Sequence, residues 1–190
     1  MNMNIVVGRL FLLLLVVSVP GAAPTAKAAE QPAVSEVLKG NLDYVQNSVV
    51  PAAEAMPADK FSFTPTNGEF KGVRTYAQLI KHIAVWNYRF GASILEEKPP
   101  VDTGGSDENG PPALNSKTEV TKFLTDSFAY LQKAIATIDQ KNLLLPIKAP
   151  WGRPVTRLGM AVSGIDHPFD LYGQMVEYLR LNGIVPPASR

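Results

Sequence analysis

The chain of 190 residues contains no cysteine. That excludes disulfides, thiolate chemistry, sulfur-ligated metal sites and an N-terminal lipoprotein anchor. Histidine is almost as scarce, because His82 and His167 are the only two. Lysine and arginine form no basic run, and the formal net charge is +1. Such a chain has no field for a nucleic-acid backbone or an anionic membrane surface, so neither is expected as a partner. Long apolar runs are missing too. The main one, Leu10–Val19, is ten residues, half of the ~20 that a membrane-spanning helix needs. Nor does any stretch show a sustained apolar/polar alternation of the strand type.

What is present begins with a leader. "MNMNIVVGRLFLLLLVVSVPGAAPTAKAAEQP" has a polar start with Arg9, the apolar run, a break at Pro20-Gly21 and then small residues. This is the layout of a secretory signal peptide, with cleavage after Ala23 or Ala28. The expected division is a signal peptide over 1–28 and one domain over 29–190. The expected location is periplasmic or secreted, with no stable membrane anchor after processing. Loss of Arg9 and Lys27 leaves 16 bases against 17 acids, a near-neutral mature protein.

Four helical patterns follow, separated by Pro and Gly. The first covers Val34 to Ala55, with Val37, Leu38, Val45, Val49 and Ala52 as its stripe and Pro51 as a kink or early end. The connector Met56–Phe70 carries aromatics expected to lie on the bundle. The second helix opens at Thr75, where Thr75-x-x-Gln78 has capping-box spacing. Tyr76, Leu79, Ile80, Ile83, Asn87, Phe90 and Ile94 recur on one face. Lys98–Asn115 is acidic but lacks the spacing of a calcium loop, so it reads as a solvated loop. The third helix opens with Ser116-x-x-Glu119, again a capping box. "NLLLPIKAPWGRPV" breaks the pattern, and a fourth helix runs from about Thr156 to Asn182. Four helices of these lengths imply an all-α protein, a four-helix bundle.

At ~100° per residue the fourth helix has two apolar sides and one narrow polar stripe. Leu158, Ala161, Val162, Ile165, Phe169, Tyr172, Val176 and Leu179 form one sector. Met160, Gly164, His167, Leu171 and Tyr178 form another, and Asp166 and Asp170 lie on the polar stripe. His167 therefore faces a crevice between helices. His82 flanks the stripe of the second helix, on the side of Leu79 and Trp86. The two imidazoles are placed to meet across the bundle, as metal ligands, acid–base groups or hydrogen-bonded structural residues.

Three segments carry a resemblance. "RTYAQLIKHIAVWNYRF", "DHPFDLYGQMVEYLRLNGIVPPAS" and the connector "MPADKFSFTPT" resemble the DinB/YfiT-like proteins over about Val34 to Ser189. The resemblance implies a DinB-like four-helix bundle with crossover connections, often a homodimer. It also implies one divalent metal, zinc, nickel or iron, held by three histidines. His82 and His167 match two of them, and Leu171 stands where the third is expected. Asp170 is the candidate substitute. Two functional classes follow. One is an exported bundle with an incomplete metal site that takes a small ligand or none, without firm catalysis. The other is a divalent-metal-dependent transferase or hydrolase using His82, His167 and Asp170.

Overall fold

The computed structural model describes residues 32–68 and 71–190. The signal peptide expected over 1–28 lies outside the described residues. Among them four helices carry the fold: α1 (Val34–Ala55), α2 (Tyr76–Leu95), α3 (Lys117–Ile135) and α4 (Arg157–Leu181). Both expected capping boxes form. Thr75 Oγ1 accepts from the Gln78 N–H at 3.2 Å, and Gln78 Oε1 accepts from the Thr75 N–H at 2.8 Å. Ser116 and Glu119 exchange the same pair at the start of α3. Each box satisfies amide donors that a helix start leaves free. Pro51 and Pro168 sit inside α1 and α4 without ending either helix.

α1 packs mainly on α4 and α3, and α2 on α3 and α4. The consecutive helices α1 and α2 thus occupy opposite corners of the bundle. Most of α2 is buried, in keeping with its dense apolar composition. Gly91 lets α3 pack close against it: a Cβ there would lie 2.7 Å from the Tyr130 ring. The described part of the connector, residues 56–68, lies on the bundle as expected, with Phe61 buried and edge-on to Tyr76 at 5.8 Å.

Three expectations need correction. First, a small antiparallel hairpin, β1 (Pro146–Lys148) paired with β2 (Pro154–Thr156), joins α3 to α4. Each strand has three residues and begins with proline, which edge strands tolerate, so no alternation could announce it. The protein is mostly rather than wholly helical. Second, only part of one of α4's two expected apolar sides is covered. Met160, Gly164, Leu171, Met175 and Tyr178 are buried, while Val162 and Phe169 are 41% and 45% exposed. A helix with two apolar sides does not by its own pattern say which side faces inward. Val37 on α1 is likewise exposed.

Third, the acidic loop is not simply solvated. Lys81, buried on α2, donates to the carbonyls of Pro111 and Leu114 at 3.1 and 3.3 Å. Arg74 donates to Asn109 Oδ1 at 3.0 Å. Gly110, at φ +76°, lies so close that a Cβ would meet Lys81 Cβ at 2.8 Å. These ties hold the loop against α2 and bring Glu108 onto the helix.

Candidate site at the two histidines

His82 and His167 do meet. Their ring centroids are 5.2 Å apart, with planes tilted by 51°. α2 supplies His82, which is buried, and α4 supplies His167, which is half-buried. His167 shares its side of α4 with the buried Met160, Gly164, Leu171 and Tyr178, as the helical pattern predicts.

Around the pair stands a wall of aromatic rings. Trp86 and Phe90, one and two turns beyond His82 on α2, both lie 5.8 Å from the His167 ring. Trp151 closes the outside, 6.4 Å from Trp86 and 6.5 Å from Phe90. It is carried at the tip of the hairpin, where Gly152 takes the left-handed φ of +88° that the tight reversal requires.

Glu108 sets the chemistry of His82. Its backbone carbonyl lies 3.0 Å from His82 Nδ1. A carbonyl only accepts, so Nδ1 carries the proton and Nε2 keeps a free lone pair. The Glu108 carboxylate accepts from the Trp86 indole N–H at 3.2 Å and from Arg89 at 3.0 Å. It lies 3.9 Å from His82 Nδ1. The Arg89 guanidinium also covers the Trp86 ring, 5.2 Å from its centroid.

Both imidazoles are held neutral. Burial is the main cause for each, since a charged ring would lose its hydration. His167 is pushed down to about 4, with the His82 ring and Arg74 adding to the effect of burial. His82 is lowered by burial and by Arg74 and Arg89, against the opposing pull of Glu108. His167 Nδ1 is buried without a hydrogen-bond partner among the described residues. Such an atom is costly to leave alone, and it marks where a ligand group would gain most.

The other expected residues are placed differently. Asp170 is exposed on the outer side of α4. Leu171 is buried, one turn beyond His167. Tyr172, from the other apolar sector of α4, stacks on Phe169 at 6.2 Å, beside Tyr44 of α1. Among the described residues no group of three or more His, Cys, Asp or Glu side chains is arranged to hold a metal ion. Two neutral imidazoles, one apolar side chain and a carboxylate already engaged by Arg89 and Trp86 do not fit the three-histidine centre that the family implies. Glu108, Arg89 and Trp151 were missed from the sequence. Only the tight "PWG" turn hinted at one of them.

Comparison with known proteins agrees with the fold. The family described as the DinB superfamily matches residues 41–175. No curated protein matches the chain significantly. A crystal structure of a DinB-like protein from Bacillus cereus ATCC 10987 is similar, with a TM-score of 0.64 and 16% identity. The match covers 82% of this chain and 96% of that one. A conserved protein from Enterococcus faecalis gives 0.63 and 18%, covering 80% and 98%. At these identities the likeness concerns architecture.

Proposed function

The chain belongs to the DinB superfamily, and on that premise we propose that it is an exported, non-catalytic member. Its site is a pair of neutral imidazoles walled by aromatic rings, and it takes a small organic ligand in place of a metal ion. The observation that carries this reading is Leu171, buried where a third histidine would stand. An isobutyl group supplies no lone pair and makes the crevice more apolar. The unpartnered His167 Nδ1 supplies the polar anchor a ligand would use.

The alternative, a divalent-metal-dependent transferase or hydrolase with Asp170 as third ligand, is disfavoured by the exposure of Asp170. Homodimerisation remains an expectation of family membership.

The test uses phenol as a neutral, hydrogen-bonding probe. The only tryptophans, Trp86 and Trp151, both stand in the site, so intrinsic emission reports occupancy. Phenol should shift the His167 ring ¹⁵N signals and the emission saturably. His167→Ala should abolish both changes. No saturable change in the unmutated protein overturns the reading.

A further inference from the structure

Glu108 occupies its place as a ligand would. One carboxylate oxygen takes Arg89 and the other takes the Trp86 indole N–H, with His82 Nδ1 further off at 3.9 Å. That is two-point recognition of a carboxylate by a guanidinium and a directed N–H. Two observations make the occupant replaceable. The Glu108 side chain is 30% exposed, so solvent and solutes reach it. The loop is also tied down elsewhere, by Lys81 on Pro111 and Leu114 and by Arg74 on Asn109. Letting go of the Glu108 carboxylate therefore need not release the loop.

The surroundings favour an anion. Arg74 and Arg89 act on His82 as positive charges, and the Glu108 carboxylate is the negative charge that faces them. Beside these donors lie the rings of Trp86, Phe90 and Trp151, with centroids 5.2 to 6.5 Å from one another. A ligand matching both parts has a carboxylate at one end and an apolar or aromatic body.

We infer that Arg89, the Trp86 N–H and the neighbouring aromatic wall form a carboxylic-acid subsite that the loop fills with Glu108. A small aromatic or branched carboxylic acid displaces the Glu108 side chain, and its body lies toward the histidine pair. The inference rests on the reading of that pair as a ligand site, and it names the ligand class.

Benzoate is the probe. Glu108→Gln removes the competing charge while keeping the side chain's shape. Benzoate should bind this variant at least about tenfold tighter than the unmutated protein, the scale of one charge-assisted hydrogen bond. Adding Arg89→Ala to Glu108→Gln should abolish the gain. Glu108→Ala serves as the second variant, with the same expected direction. In the unmutated protein, benzoate at high concentration should still shift the Trp86 indole N–H resonance saturably. The inference is overturned if folded Glu108→Gln or Glu108→Ala gains no affinity, if the gain survives Arg89→Ala, or if the resonance stays put. Phenol separates the two failures. If phenol still shifts His167 while benzoate is ignored, the carboxylate subsite alone falls. If neither probe binds, the ligand-site reading falls with it.

Discussion

Replacing Leu171 by histidine should restore what the site lacks. Leu171 follows His167 by four residues on α4, so their side chains share one face about 6 Å apart. Leu171 is 6% exposed, so the new imidazole would be buried beside the existing pair. Without metal the variant should be less stable. A buried ring nitrogen without a partner costs about 1–3 kcal/mol. For a domain of this size that lowers the melting temperature by roughly 2–12 °C. Zinc should reverse the loss, since a ligand at about 100 times its Kd contributes about 2.7 kcal/mol to the folded state. Zinc should also bind at least about tenfold tighter than to the unmutated chain, given that even an outer-shell partner of a metal site is worth ~10–100-fold. Thermal melts with and without zinc, and calorimetric titration, measure both effects. Adding His167→Ala should remove the zinc response. A folded Leu171→His variant with no zinc stabilisation would refute the placement of residue 171 beside the two rings.

Two further outcomes follow from the same geometry. Because His167 titrates at about 4 when folded but near 6.5 when unfolded, the unfolded chain binds the extra proton between these values. Stability should therefore be fully present above about pH 6.5 and decline toward pH 4. Urea unfolding across that range should show the decline, and His167→Phe should flatten it; an unchanged slope would contradict the buried neutral ring. Gly91→Ala should destabilise the bundle despite a helix-propensity gain of about 1 kcal/mol. Its Cβ would meet the Tyr130 ring at 2.7 Å, and overpacking of this kind costs about 1–3 kcal/mol. Urea midpoints should show a net loss, relieved when Tyr130 is also changed to Leu.

Local signals were legible where local chemistry decides. Thr75-x-x-Gln78 and Ser116-x-x-Glu119 each satisfy their own helix start, so spacing alone located α2 and α3. The meeting of His82 with His167 was also readable, because each ring flanks an apolar face of a bundle helix. The inward face of α4 was not. Phe169 and Val162 are as apolar as Leu171 and Met175, and only the positions of α1 and α2 decide which are covered. Glu108 was illegible for a different reason. It reaches His82 because Lys81, Arg74 and the glycine at position 110 fix a long loop on α2. Those are tertiary ties between residues far apart in the chain, and the acidic composition of the loop suggests solvation instead. Trp151 depends on a hairpin with strands too short to carry a pattern.

The most direct test is metal analysis of the protein purified from metal-rich medium. With Leu171 buried beside two neutral imidazoles and Asp170 turned outward, bound zinc, nickel and iron should stay far below stoichiometric. His167→Ala should leave those values unchanged. Stoichiometric metal that disappears in His167→Ala would contradict the account.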